Sequence, residues 1–430
     1  MSLRKTYSKN LITSYFLILL GIVIPIIMTP FILGKLGAEL YGLWILMNTI
    51  VSYFYLSNLG LNTAFTKEIS GDINTSLINT LISTMTFFFV GVIVFVSIVT
   101  LIIFINLDTF FSISVNHLET SKLLLLIFFV NFSIGLVSSI FDSILFARQF
   151  LFLSNIIRVI SLIMTTSVTV FLLLNGYSII ALAISNLAIS AILSTVMYLY
   201  TRKIIDFSIH LKDVDIQILK KLFKPSIYYF LISIGVTISF YSDTLVISSV
   251  LGLAAVAVYS IAQKVVSISE KILFKITDIM FPDIAKLFHE ENYDEIKRLH
   301  NRTMLISVSL AILGYGTLFF IGPWLIKLWI GDKLQVDMDV FNILLLFSFI
   351  HTWNHVSSVF VMAMGLHKEV AWVVLIEAVL NVFLSVLFAK AYGLPGIAMG
   401  TLIAHAITNN WFTPYWFYRN LYLLKGRKNG

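Results

Sequence analysis

Three lysines and a serine lie on one face of a predicted helix in the second half of the chain. Lys264, Ser267, Lys271 and Lys275 follow one another at intervals of three and four residues, the spacing of neighbours on one helix face. An ammonium group inside hydrocarbon costs about 2.5–3.5 kcal/mol, so a row of them needs a functional or structural reason. Because lysine binds phosphate as a flexible point charge, we predict that Lys264, Lys271 and Lys275 bind a pyrophosphate group.

The alternative for these lysines is a structural role. Lys271 and Lys275 lie near the predicted cytoplasmic end of their helix, where long side chains extend to the membrane surface. Lys264 lies deeper and would need an acidic partner, for which Glu270 and Asp243 are close enough along the predicted helices. The residue types and their spacing leave both roles open.

Two acids within predicted membrane helices are candidates for ion coupling or for ion pairs. Asp243 and Lys264 lie at comparable depth, since a helix rises about 1.5 Å per residue. Asp243 therefore either pairs permanently with Lys264 or exchanges a proton or Na⁺. Glu377 is the second candidate, with His351 and His405 as titratable neighbours.

A second row of side chains, near the amino terminus, suits sugars. Trp44, Asn48, Ser52 and Tyr55 follow at intervals of four, four and three residues and share one helix face. Aromatic rings pack on the C–H faces of sugars, and amides and hydroxyls bond their hydroxyl groups. We predict that these four residues, together with Ser267, contact a glycan. Membrane helices also carry such aromatic and small polar residues for interfacial anchoring and helix packing.

These rows must be positioned by helices that cross a membrane. The chain has 430 residues, of which 59% are hydrophobic and 12% charged, whereas soluble domains average about 45–50% and about 25%. One membrane span needs about 20 apolar residues. The hydropathy predicts twelve spans, near 11–33, 41–61, 79–105, 123–146, 151–174, 178–200, 227–250, 254–280, 304–325, 340–363, 371–391 and 396–421.

The placement of basic residues predicts the orientation. Twenty of the 29 Lys and Arg residues fall on the side that holds both termini, which is then the cytoplasmic side. The polar stretch 201–225 holds six of them and is the predicted cytoplasmic linker between an N-lobe, 1–200, and a C-lobe, 226–430. We therefore interpret the net charge of +7 as basic residues that set the membrane orientation, and we expect no nucleic-acid partner.

The two halves show an internal duplication. Leu36-Gly37 matches Leu251-Gly252 at an offset of 215 residues, and Gly176 matches Gly393 at an offset of 217. Each half enters from the cytoplasm, so the repeat is parallel. The predicted fold is an all-α polytopic membrane protein with twelve transmembrane helices in two six-helix lobes around a central cavity, by analogy with two-lobed transporters.

Enzyme signatures are absent from the sequence. There are no cysteines, which excludes disulfides and thiolate metal sites. There is also no P-loop, no GxGxxG, no HExxH and no nucleophile elbow. We expect a protein that is not an enzyme and that needs no cofactor and no metal.

Several short motifs resemble one family of membrane proteins. The run 36–44, LGAELYGLW, is followed by 56–61, LSNLGL, and in the second half Asp243 precedes Leu251-Gly252 and 256–259, VAVY. This pattern resembles the polysaccharide-biosynthesis or O-antigen flippases of the multidrug/oligosaccharidyl-lipid/polysaccharide exporter superfamily. The family pattern has a Gly where this chain has Ala257.

The resemblance implies a function and a location. It implies alternating-access translocation of an undecaprenyl-pyrophosphate-linked oligosaccharide, an O-antigen or capsular repeat unit, from the cytoplasmic to the periplasmic leaflet of a bacterial inner membrane. Membrane lipids, H⁺ or Na⁺, and other glycan-assembly membrane proteins are the further partners expected. A cation-coupled multidrug exporter of the same superfamily is the alternative. A polytopic polymerase or ligase is the alternative from another class, but it needs an outer catalytic loop longer than 106–122.

Overall fold

The computed structural model describes the backbone of residues 3–71 and 74–429, and within these ranges the chain has helices and no strands. The side chains of 1–8, 224–226, 229 and 427–430 lie outside the description, including basic residues predicted at both ends. The α-helices are α1 Leu3–Phe54, α2 Leu61–Ile69, α3 Thr75–Ile105, α4 Leu107–Phe110, α5 Val115–Ala147, α6 Leu151–Leu174, α7 Ile179–Ile204, α8 Ile216–Val250, α9 Leu253–Asp278, α10 Phe281–His289, α11 Tyr293–Ile330, α12 Met338–Ala363, α13 Lys368–Ile407 and α14 Asn409–Asn429.

Ten helical stretches in the described ranges are long and apolar enough to cross a bilayer. Helices suit this environment because they satisfy every backbone N–H and C=O internally. The first and last stretches are interrupted by non-helical glycines, Gly37 in α1 and Gly393 in α13. The predicted all-α polytopic fold is confirmed, whereas the count of twelve spans stays a prediction.

Two predicted spans are broken where the sequence suggested continuous helices. The span at 41–61 ends as an α-helix at Phe54 and continues as a 3-10 turn, Tyr55–Asn58. It is then interrupted by Leu59 and Gly60, which have left-handed backbone conformations. The span at 396–421 is divided near Thr408, between α13 and α14. Hydropathy does not detect these breaks, because the polar residues there, Ser57-Asn58 and 408–410, are few among apolar neighbours.

The chain divides into two compact units, 1–230 and 231–430, with the boundary inside α8. In unit 1, α5 is central and packs against α1, α2, α3 and α7. Its inner face carries fully buried residues such as Phe132 and Ile140. Polar ties join α6 to α1, where the Asn155 amide donates to Ser14 Oγ at 2.8 Å. Such bonds matter in hydrocarbon, where apolar contact alone does not favour helix association.

The segment between α7 and α8 is hydrogen-bonded to α3. The backbone N–H groups of Ser208, His210 and Asp215 donate to side-chain oxygens on α3, at 2.9–3.1 Å. Lys221 adds an ion pair to Glu68 at 2.8 Å. Helices also extend into both ends of the predicted linker 201–225, because α7 ends at Ile204 and α8 begins at Ile216.

Unit 2 has α12 at its centre, packed against α9, α11, α13 and α14. The two halves of α13 fold back on each other after Gly393. A Cβ at Gly400 would lie 2.6 Å from the backbone N of Ser385, and one at Gly396 would lie 2.2 Å from the carbonyl oxygen of Phe388. Only glycine permits this close approach.

The backbone repeats between the units. Gly37, with φ 78° and ψ 173°, corresponds to Gly252, with φ 87° and ψ 177°. This conformation is essentially restricted to glycine. Further left-handed positions also recur: Gly176 has φ 76° and its counterpart Gly393 has φ 63°. In each unit, a nine-residue helix follows the long helix that begins after Gly37 or Gly252: α2 in unit 1 and α10 in unit 2. The duplication that the sequence predicted is therefore present in the backbone as well.

Candidate functional site

The lysine row lies on α9 and becomes more exposed toward the end of the helix. Lys264 and Ser267 are half-buried, whereas Lys271 and Lys275 are exposed. The Ser267 hydroxyl donates to the Lys264 carbonyl at 3.1 Å, and the Lys275 ammonium lies 3.8 Å from an Asp278 carboxylate oxygen. The row therefore provides cationic side chains on an apolar helix, and its binding of pyrophosphate stays a prediction.

Asp243 on α8 is 2% exposed and bonds to hydroxyl groups from two other helices. Tyr259 Oη on α9 donates to Asp243 Oδ2 at 2.5 Å, and Thr401 Oγ1 on α13 lies 3.0 and 2.9 Å from the two carboxylate oxygens. Ser385 Oγ is 3.4 Å from Oδ1. These hydroxyls are the hydrogen-bond partners that the structure describes for Asp243. The pairing of Asp243 with Lys264, and its alternative, ion exchange at Asp243, stay predictions.

The surroundings of Asp243 form a set of oxygen atoms. Asn381 Oδ1 accepts from Ser385 at 3.0 Å and from Thr401 at 3.4 Å, and the Ile397 carbonyl lies 3.4 and 3.3 Å from the same hydroxyls. A carboxylate, an amide oxygen, a carbonyl and two hydroxyls thus converge from α8 and both halves of α13. Hard cations prefer oxygen ligands of these types, and a buried carboxylate can also take up a proton.

Sequence reasoning identified Asp243 but missed its partners. Ser385 and Thr401 lie 142 and 158 residues further along the chain. The signal in the sequence was the presence of small polar residues, Asn381, Ser385 and Thr401, within predicted apolar spans. That signal gives no indication of which helix they face.

Glu377 and Glu270 are each bonded to a histidine. Glu377 Oε1 lies 2.9 Å from His405 Nδ1, and Glu270 Oε1 lies 2.6 Å from His351 Nδ1. Glu270, considered above as a partner for Lys264, therefore pairs with an imidazole on α12. The role predicted for Glu377, ion coupling or an ion pair, stays a prediction.

The predicted glycan row lies in unit 1, on the second half of α1. Trp44 packs edge-on against Phe128 with ring centroids 5.1 Å apart, and the Asn48 amide donates to its own helix at the Trp44 carbonyl, 2.7 Å away. Ser52 likewise bonds the Asn48 carbonyl at 2.9 Å. Tyr55 begins the 3-10 turn and is 46% exposed. Glycan contact by these residues stays a prediction.

Comparison with known proteins agrees with this architecture. A family model described as a polysaccharide biosynthesis protein matches residues 8–288, about two thirds of the chain. The chain belongs to the polysaccharide biosynthesis protein family. A second model, described as MatE, matches residues 229–387. The curated relative "Uncharacterized membrane protein EpsK" of Bacillus subtilis (strain 168) is 23% identical over 426 residues, covering 93% of this chain and 81% of EpsK.

Solved structures of transporters share the fold. An inward-facing multidrug resistance MATE family transporter of the MOP superfamily superposes with a TM-score of 0.77, at 14% identity, covering 95% of this chain and 96% of the other. The lipid II flippase MurJ, in an inward closed conformation, gives a TM-score of 0.74 at 16% identity, covering 95% and 87%. The family member described here is thus a multi-pass membrane protein with the fold of MOP-superfamily transporters.

Proposed function

We propose that this family member is a flippase for an undecaprenyl-pyrophosphate-linked oligosaccharide, such as an O-antigen or capsular repeat unit. It moves the head group from the cytoplasmic to the periplasmic leaflet of a bacterial inner membrane by alternating access. Family membership supports a role in polysaccharide assembly, and MurJ supplies a flippase of the same fold.

The observation that carries this proposal is the lysine row on α9. Lys264, Lys271 and Lys275 lie on one face of an apolar helix, two turns and one turn apart, and their side chains range from half-buried to exposed. A diphosphate carries negative charge that these groups neutralise, and flexible ammonium groups hold a moving anion without a fixed geometry. The polyprenyl tail stays in lipid, and Trp44, Asn48, Ser52, Tyr55 and Ser267 are the proposed sugar contacts.

The membrane potential favours export of such a cargo. Two negative charges that move outward across about 100 mV, inside negative, gain about 4.6 kcal/mol, at about 2.3 kcal/mol per charge. Ion exchange at Asp243 modifies this drive: a proton or Na⁺ binds among the hydroxyl, amide and carbonyl oxygens that surround the carboxylate. The oxygen-only set fits either ion.

The lysine row is tested by a double substitution. In proteoliposomes with a fluorescent undecaprenyl-pyrophosphate oligosaccharide, we expect Lys264→Ala with Lys271→Ala to lower the translocation rate by tenfold or more, because about 1.4 kcal/mol of lost attraction already costs a factor of ten. Lys327→Ala is the matched control, since Lys327 is an exposed lysine in the last turn of another apolar helix. Translocation by the double variant at the control rate, with equal reconstitution, would contradict the proposal.

A cation-coupled multidrug exporter is the second candidate. It is favoured by the buried carboxylate of Asp243 and by the match of residues 229–387 to the MatE model. The same vesicles separate the two functions. A flippase translocates the lipid-linked sugar and leaves lipophilic organic cations unmoved, whereas an exporter accumulates the cations in response to an ion gradient and leaves the lipid-linked sugar in place.

A further inference from the structure

Two carboxylates and two imidazoles form a chain inside unit 2, apart from the Asp243 site. Its order is Glu270 on α9, His351 on α12, His405 on α13 and Glu377 on α13. The carboxylate to Nδ1 distances are 2.6 Å at the first end and 2.9 Å at the other, and the two imidazole centroids lie 5.2 Å apart at 85°. The ring of Phe347 packs against both imidazoles. The chain therefore joins three helices through titratable groups.

The charges of this chain balance only when protons are bound. Each imidazole uses Nδ1 toward a carboxylate, so Nδ1 carries a hydrogen when that carboxylate is ionised. With neutral imidazoles the four groups carry two negative charges in a buried setting, which is costly. Each proton taken up at an Nε2 atom cancels one of these charges, and two protons make the chain electrically neutral.

One atom of the chain is positioned to take up a proton. His405 is 1% exposed, and its Nε2 has no hydrogen-bond partner among the residues that the structure describes. A buried ring nitrogen without a partner is unusual, because buried polar atoms are normally satisfied. The neighbouring His351 is partly accessible, with 18% of its side chain exposed. His351 is therefore the more accessible of the two imidazoles.

Two titratable groups near the chain have hydrogen-bond partners outside it. On α11, Tyr315 bonds Thr352 at 3.2 Å. On α8, Asp243 bonds Tyr259 and Thr401.

One turn further along α12, His355 bonds Asp278 at 3.1 Å and stacks on Phe274. At the Glu377 end, the Thr408 hydroxyl donates to Oε2 at 3.3 Å. The described partners of the two carboxylates are therefore the two imidazoles and the Thr408 hydroxyl.

We propose that Glu270, His351, His405 and Glu377 form a proton-binding site, distinct from the site at Asp243. Protonation strengthens the Glu270–His351 pair between α9 and α12 and the His405–Glu377 pair within α13. Two protons convert the chain into two carboxylate–imidazolium pairs, and their release leaves two buried negative charges. Proton binding here does not depend on the cargo and is measured on the protein without substrate.

The site is tested by thermal unfolding of the purified full-length protein at pH 6 and pH 8.5. The pairs stabilise the protein while the imidazoles are protonated, and this contribution is lost as the pH rises. We expect the difference in Tm between the two pH values to fall by at least half in His351→Gln with His405→Gln. His300→Gln is the control, because His300 is fully buried but bonds the hydroxyls of Ser357 and Tyr418. It should keep the wild-type difference.

If the double variant folds and shows the same difference in Tm between pH 6 and pH 8.5 as the wild type, the proposal is overturned. If the double variant cannot be purified, the site is tested by ¹⁵N-histidine NMR. The sample is a variant that retains only His351 and His405 of the eight histidines, so that the two imidazoles can be titrated without overlap. Titration of both imidazoles between pH 5 and pH 9, lost in Glu270→Gln with Glu377→Gln, supports the site. Imidazoles that stay neutral throughout this range overturn it. Translocation of lipid-linked sugar enters neither measurement, so failure of the flippase proposal is detected separately.

Discussion

Asp243 is a carboxylate whose described partners are hydroxyl groups rather than cations. Tyr259 and Thr401 both donate to it at 3.0 Å or less. Hydroxyl groups adapt to the charge of the carboxylate, since they rotate to donate to it or to accept from a bound cation or proton. A fixed ammonium partner would instead keep the carboxylate permanently ionised. This arrangement suits a group that gains and loses an ion.

The first prediction concerns this residue. Asp243→Asn keeps the size and one acceptor oxygen but removes the charge, so we expect it to fold and to lose coupling. The response of the translocation rate to an imposed proton or Na⁺ gradient, measured in proteoliposomes, should fall at least about fivefold, equivalent to about 1 kcal/mol of lost coupling. Asp332→Asn, at an exposed carboxylate outside α8, is the control and should respond as wild type. A wild-type response by Asp243→Asn would exclude coupling at this carboxylate.

At the scale of elements, α13 brings the Asp243 site together by folding on itself. Its first half contributes Asn381 and Ser385, and its second half contributes Thr401 after the break at Gly393. The two halves approach closely at Gly400, where any side chain would meet the backbone of Ser385. The site therefore depends on a glycine that has no chemistry of its own.

The second prediction concerns this contact. Gly400→Ala should lower the free energy of unfolding by about 1–3 kcal/mol, because the new Cβ would lie 2.6 Å from Ser385 N and 2.9 Å from Leu384 C, both backbone atoms. The Tm of the detergent-purified protein measures this loss. Gly314→Ala on α11 is the matched control, since its Cβ would meet nothing within 4 Å. Equal Tm values for the two variants would show that the α13 halves are not tightly packed at this position.

At the scale of the whole molecule, the duplication relates the two units. Both have a glycine in a glycine-only conformation before their second long helix, Gly37 and Gly252, and both have one central helix, α5 or α12, against which most others pack. The distribution of Lys and Arg predicts that the side with both termini is cytoplasmic.

The third prediction tests this orientation, and the absence of native cysteines makes the test direct. In intact spheroplasts, a membrane-impermeant maleimide should label Asn116→Cys, which is exposed near the start of α5, on the predicted outer side. Lys297→Cys, exposed near the start of α11, should be labelled only after the membrane is opened. The two variants serve as controls for each other, and the reverse pattern would invert the topology.

Much of this architecture was predictable because the signals are local. An apolar run of about 20 residues spans a bilayer whatever surrounds it, so the all-α polytopic fold followed from hydropathy. The repeat was visible in the sequence because Gly37 and Gly252 have a backbone conformation that residues other than glycine rarely adopt. The lysine row on α9 followed from helical periodicity, which is also a local property.

The amino-acid sequence by itself determined the membrane class, the duplication, the family resemblance and the acids to be considered. Only the tertiary structure decided which groups those acids meet. Asp243 contacts Tyr259 and Thr401, and Glu270 contacts His351, because helix packing brings together residues that no spacing rule connects. The helix breaks after Phe54 and near Thr408 were also decided in three dimensions, since the few polar residues at each break leave the average hydropathy of the predicted span high.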